Sequence, residues 1–211
     1  MRFPFDSDEA KQLNKDIFET IYHASLECSM EISKKRHLSF ITDAEANTQL
    51  QRTDAELQLR SYKGEYSTYE GSPLSHGIYQ FDMWKVTVDN HLWNWDELRA
   101  CIIQYGVRNS LLVAPMPTAS TSQIMGFNEC FEPFTSNLYK RKTLAGEFIV
   151  MNKYLLNELI NLNMWNTDMK EQIIINEGMI GNIKIIPNEI RELYKTVWEI
   201  KQKHIIDMAV D

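Results

Sequence analysis

The segment Ser110-Leu111-Leu112-Val113-Ala114 is a continuous apolar run of strand length, closed by Pro115 and Pro117 and followed by Thr118-Ala119-Ser120-Thr121-Ser122. A strand that is apolar on both faces suits the interior of a parallel sheet, and the order helix, helix, strand, helix, strand, then helices along the chain points to an α/β fold class. Proline lacks the N–H that a ladder needs, so pairing stops there. A helix is expected from Thr118 to about Met125, with Gly126 ending it. The first turn of a helix leaves backbone N–H groups without partners, at the positive end of the helix dipole. The hydroxyls of Thr118, Ser120 and Thr121 add donors, and α/β folds hold ligands at the carboxyl ends of their strands. Thr118, Ala119, Ser120 and Thr121 are therefore a candidate anion seat. The plainer reading, in which Thr118 only caps its own helix, has equal standing on spacing alone. The turn carries no lysine or arginine, and the chain has a net charge of −7. Oriented amides and hydroxyls would have to do the holding, which suits an exchangeable substrate better than a permanent cofactor.

Across 211 residues, 44% apolar and 24% charged, one domain spanning 1–211 can bury its own core. No apolar run is long enough to cross a bilayer, so no membrane is expected. Met1-Arg2-Phe3-Pro4 lacks the build of a signal peptide. Cys28, Cys101 and Cys130 are odd in number and widely spaced, as befits reduced thiols in a cytoplasmic protein. The acidic balance argues against a nucleic-acid-coating role.

Ala10, Leu13, Ile17, Ile21, Ala24, Cys28 and Ile32 recur at three- and four-residue spacing, predicting a buried helical stripe that ends near Ser33–Arg36. Cys28 reads as a small buried hydrophobe within it. Residues 38–63 change in composition and repeat Thr42-Asp43-Ala44-Glu45 as Thr53-Asp54-Ala55-Glu56, each with the form of a capping box; they read as a surface insertion. Gly64 to Trp84 reads as a loop. Asn94 is set to cap a helix over Trp95–Tyr105, with Leu98, Cys101 and Ile102 inward and Gly106 as the stop. Asn137–Thr143 and Glu147–Met151 read as extended segments around a turn. Further helices are expected at 153–162, 167–176 and 188–208; in the last, Ile190, Leu193, Val197, Ile200, His204 and Met208 share a face. His204 then reads as a core or interface histidine.

Other chemistry is sparse. Asp82, Asp89 and Asp96 lack the clustering a metal needs, so no metal site is assigned. Glu129 and Glu132 beside Cys130 would raise a thiol pKa and suppress the nucleophile. Tyr62, Tyr66, Tyr69 and Tyr79 read as packing over a core edge rather than a redox chain.

The stretch Arg108-Asn109-Ser110-Leu111-Leu112-Val113-Ala114-Pro115-Met116-Pro117-Thr118-Ala119-Ser120-Thr121 resembles the large, catalytic subunit of class I ribonucleotide reductase of the eukaryotic type. Further resemblance lies in Tyr69-Glu70-Gly71-Ser72-Pro73, Asp82-Met83-Trp84, Asn128-Glu129-Cys130-Phe131-Glu132-Pro133, Thr135-Ser136-Asn137, Gly146-Glu147-Phe148 and Leu193–Ile200. It runs collinearly from Arg2 to Ala209, broken mainly at 38–63. It implies part of a ten-stranded α/β barrel, mostly helical at both ends, from the C-terminal portion of the barrel domain. It also implies that Thr118, Ala119, Ser120 and Thr121 cradle the diphosphate of a ribonucleoside diphosphate.

In that family a thiyl radical attacks the ribose, a cysteine pair supplies electrons, and the radical comes from a di-iron tyrosyl centre in a separate small subunit. The resemblance offers no position here for the Asn-x-Cys-x-Glu loop of the radical cysteine. The same holds for the redox cysteines, the radical-transfer tyrosines and the nucleotide-effector regions. No catalytic residue is assigned, no cofactor is expected on this chain, and the 211 residues alone are expected to be inactive. The expected partners are the substrate, the rest of the large subunit and the small radical-carrying subunit. The alternative is a non-catalytic docking protein built from the same barrel, with 8–35 and 188–208 as docking faces.

Overall fold

The computed structural model describes residues 2–46, 64–129 and 131–210. They pack as two compact units, Asp16–Ala114 and Met1–Lys15 with Pro115–Asp211. Both are dominated by helix.

Helix α1 spans Asp8–Ala46, about ten residues past its expected end. Neither glycine nor proline occurs in that span, and Lys34, Lys35 and Arg36 are good helix formers, so nothing there stops propagation. Thr42–Glu45 consequently lies inside a helix instead of opening one. Its repeat at 53–56, and the rest of 47–63, fall outside the described residues.

Which face of α1 is buried also differs from expectation. Ile17, Ile21 and Ile32 are each about 40% exposed, and Ala24 and Cys28 are exposed as well. The opposite face, His23, Leu26, Ser29, Met30 and Ser33, is buried. The reason is aromatic packing. Tyr22 sits 5.7 Å from Trp95 and 6.5 Å from Tyr79, while His23 stacks on Trp93 at 5.1 Å. Buried aromatic surface outweighs an aliphatic stripe of similar length. The two serines let the chain approach closely: Ser33 Oγ donates to Tyr105 O (2.6 Å), while Ser29 O and Oγ accept from Arg108 N (3.1 Å) and Asn109 N (2.9 Å).

The 64–84 stretch contains a 3₁₀ turn at Pro73–His76 and a short helix α2 at Gln80–Met83. Tyr69 and Tyr79 are buried, donating to Ile102 O (2.9 Å) and Trp95 O (3.2 Å). They are core residues, as their packing reading requires; Tyr62 lies outside the described residues. Helix α3 covers Trp95–Tyr105, with Asn94 accepting from Glu97 N and Gly106 at the C-cap. Leu98 and Ile102 are buried and Cys101 is half-buried.

In the second unit, β1 (Leu138–Thr143) and β2 (Gly146–Met151) form an antiparallel hairpin, with Arg141 opposite Phe148. This is the whole sheet content of the described residues. Helices α5 (Lys153–Asn161) and α6 (Thr167–Ile175) follow, each capped by an asparagine. Their inward faces, Leu155, Leu159, Met169 and Ile173, pack with Ile180, Ile183, Ile186 and Ile190. The long C-terminal helix expected over 188–208 is divided into α7 (Asn188–Leu193), a 3₁₀ turn at Val197–Glu199 and α8 (Gln202–Val210). Thr196 breaks it. Its N–H and hydroxyl both donate to Glu199 Oε2 (2.8 and 3.0 Å), a capping box that starts a new turn. Five of the six residues expected on one face therefore lie on three different elements, with Ile200 in the link after the 3₁₀ turn; His204 is half-buried on α8.

Candidate functional site

The expected buried strand at Ser110–Ala114 is not a strand. Residues 111–117 take no regular structure, and Leu111 is 89% exposed and Val113 49%. A parallel strand exists only through neighbours on both sides, and the described residues bring no strand beside this one. The apolar run therefore lies exposed among the described residues.

The helix that follows, α4, covers Thr121–Met125, starting three residues later than expected, with Ser120 at the N-cap and Gly126 at the C-cap (φ +72°). Thr118 does not cap it with its side chain: its Oγ1 donates to Pro117 O at 2.7 Å. Its carbonyl instead accepts from Ser122 N at 2.8 Å. Thr118 also holds φ at +56°, an unfavourable region for a β-branched residue.

Thr118 is half-buried and Ala119, Ser120 and Thr121 are exposed. Among the described residues none of these four backbone amides has an acceptor, and the Ser120 side chain makes no cap bond. The four residues thus stand together on one turn with their main-chain donors bare. Ser122, outside the four residues expected from the sequence, is 5% exposed, and its Oγ has no partner among the described residues. No composition or spacing signal marks it apart from the other hydroxyls.

Three neighbours hold α4 in place. Arg141 of β1 donates to Gln123 Oε1, and Gln123 Nε2 donates to Glu129 Oε1 at 3.2 Å. Lys153 of α5 donates to Met125 O at 3.2 Å and lies over the rings of Phe127 and Tyr154, which stack on each other. The Asn128 amide donates to the carbonyls of Glu129, Glu132 and Pro133 at 3.0, 2.7 and 3.0 Å. Asn128, Cys130 and Glu132 do spell Asn-x-Cys-x-Glu, so that spacing is present once in the chain. The Asn128 side-chain amide is committed to bracing the backbone; Cys130 is outside the described residues.

Elsewhere, Asp82 pairs with Arg99 (2.9 Å) and accepts from Tyr79 N (2.8 Å). Burial works against its ionisation, but the guanidinium and the N–H prevail and hold its carboxyl below the usual carboxylate range. Asp89 accepts from His91 N and Asp96 from Asn90. The described residues bring together no three of His, Cys, Asp or Glu in a way that could hold a metal ion. Burial raises the Tyr69 and Tyr79 hydroxyls above their ordinary value, which keeps both neutral. No helix of the described residues is long and apolar enough to cross a membrane. Cys28 is exposed on α1, not buried as expected, because its stripe is the outward one.

Residues 1–211 match the family described as ribonucleotide reductase, barrel domain, and the chain belongs to that family. It is 52% identical over its whole length to the ribonucleoside-diphosphate reductase large subunit of Plasmodium falciparum, covering 23% of that protein. It is 53% identical, again over its whole length, to the large chain of Neurospora crassa, covering 20% of it. Among solved structures it resembles the Actinobacillus ureae class Id ribonucleotide reductase alpha subunit, with a TM-score of 0.56 and 23% identity. That likeness covers 99% of this chain and 27% of the other; at this identity it speaks to fold alone. The chain spans between a fifth and a quarter of the length of these two large-subunit relatives.

Proposed function

We propose that this chain is the part of a ribonucleoside-diphosphate reductase large subunit that seats the substrate diphosphate on Thr118, Ala119, Ser120 and Thr121. The observation that carries the reading is the set of four adjacent amides without acceptors among the described residues, on a turn that opens a helix. A diphosphate is an anion with several acceptor oxygens, and oriented N–H groups bind such anions without needing a cation in the loop. The left-handed Thr118 is a second support, since sparsely populated backbone conformations gather at ligand sites.

The reduction itself belongs to the assembled enzyme. The chain contributes binding and orientation; the radical and redox cysteines come from the rest of the large subunit, and the radical from the small subunit with its di-iron tyrosyl centre. Leu111 and Val113, together with the outward Ile17, Ile21 and Ile32 of α1, support completion of a partial barrel by other segments. The same apolar surface would serve a docking protein, but such a protein has no use for a row of bare amides.

The test is calorimetric titration of ADP or CDP into the chain and into its Ser120→Pro variant, which lacks one of the four donors. Binding that weakens in the variant supports the seat. Indistinguishable curves at millimolar nucleotide remove it.

A further inference from the structure

Resting on the diphosphate seat above, we infer that Arg141 is its charge partner, brought to the turn by the β-hairpin and tethered there through Gln123.

The turn is devoid of lysine and arginine, and the chain carries a net charge of −7, so a diphosphate arriving at Thr118–Thr121 meets amides but no cation within the loop. The hairpin supplies one. Side chains alternate across a strand, so Lys140 and Lys142 share one face of β1 and Arg141 takes the other. Both lysines pair with Glu147, the latter at 3.9 Å. Arg141 has no carboxylate partner among the described residues. One of its N–H groups donates to Gln123, the third residue of α4 and two positions beyond Thr121.

A guanidinium carries five N–H donors in a planar fork, so a single bond to a neutral amide leaves most of its capacity unused. Gln123 also donates to Glu129 at 3.2 Å, and no ion pair joins Glu129 to Arg141 among the described residues. Lys153, a second cation beside α4 among the described residues, is at the opposite end, on Met125 O. The buried hydroxyl of Ser122, adjacent to Gln123, is an independent polar group in the same first turn that has no partner among the described residues.

The experiment is titration of CDP into the full 211-residue chain at several salt concentrations, for the wild type, Arg141→Gln, Lys142→Gln and Ser120→Pro. Arg141→Gln retains a side chain able to bond Gln123 but removes the charge. Lys142→Gln makes the same change in net charge on the opposite face of the strand. The expected result is a loss of about five- to tenfold in affinity for Arg141→Gln, the size of a charge-assisted hydrogen bond at a partly exposed site. Its salt dependence should flatten, while Lys142→Gln stays within about twofold. Cytidine, which has no phosphate, should not register the Arg141 change.

Equal losses in Arg141→Gln and Lys142→Gln overturn the inference in favour of overall charge. Unchanged binding in Arg141→Gln, with Ser120→Pro impaired, overturns the inference and leaves the seat standing. No effect from Ser120→Pro takes down the seat and the inference with it. Circular dichroism melts of each variant separate these outcomes from loss of fold.

Discussion

Asn137 is the polar keystone of the second unit, and truncating it tests how that unit is held. The side chain is 1% exposed. Its Nδ2 donates to Gly178 O (3.2 Å) and Tyr194 O (2.9 Å), and its Oδ1 accepts from Asn152 Nδ2 (2.9 Å). The backbone repeats the link: Asn137 N donates to Gly178 O (3.1 Å) and Asn152 N to Asn137 O (2.8 Å). Asn152 in turn caps α5 through Tyr154 N. One residue thereby ties the start of β1, the end of β2, the head of α5 and two loops. Asn137→Ala breaks three side-chain hydrogen bonds and leaves their partners without those bonds. At about 1 kcal/mol for each bond, plus a cavity contribution, the loss comes to about 3–4 kcal/mol. That is a large share of the ~5–15 kcal/mol by which a domain is stable. Urea unfolding followed by far-ultraviolet circular dichroism measures it. Asn137→Asp should cost at least as much, because a carboxylate would face two carbonyls it cannot donate to. A loss below about 1 kcal/mol for both variants would refute the keystone reasoning.

Glu199→Ala removes the acceptor for Thr196 N, Thr196 Oγ1 and Gly181 N (2.9 Å), and should cost about 2–3 kcal/mol in the same urea assay. Asp82→Asn should destabilise by about 1 kcal/mol at neutral pH, a modest figure because Asp82 and Arg99 are each about a third exposed. The carboxyl is held below 3.8, so its contribution is full above that value and fades as pH falls through the lower folded one. The gap between variant and wild type should therefore close on acidification. On α1, Leu26→Ala should cost about 2–4 kcal/mol, while Ile17→Gln with Ile21→Gln should change stability by less than about 1 and reduce binding of an apolar dye.

Features carried by a few adjacent residues were legible in the sequence. The Asn94 cap and Gly106 stop bound α3, and the turn between the two extended segments is the hairpin. The asparagine-led helices at 153 and 167 also stand where periodicity puts them. What misled was apolar sequence that stays exposed among the described residues. An aliphatic stripe signals burial without saying against what, so α1 buries the face bearing Tyr22 and Leu26 while Ile17, Ile21 and Ile32 face outward. Ser110–Ala114 is apolar as well, yet takes no strand geometry without neighbouring strands. The Thr196-x-x-Glu199 capping box was visible in the residues but masked by a helical period that runs straight through it. At the candidate site, spacing identified the turn itself but not its surroundings. The contacts from Arg141 and Lys153 cross 18 and 28 residues of chain, which local patterns do not encode.

The most direct test of the proposed diphosphate seat is residue-resolved. Amide chemical-shift mapping of the ¹⁵N-labelled chain during titration with CDP should show saturable, concerted shifts at Thr118, Ala119, Ser120 and Thr121, with cytidine leaving them in place. If those four signals stay still at millimolar CDP, or move no more than exposed amides of α5 and α6, the turn does not hold the substrate.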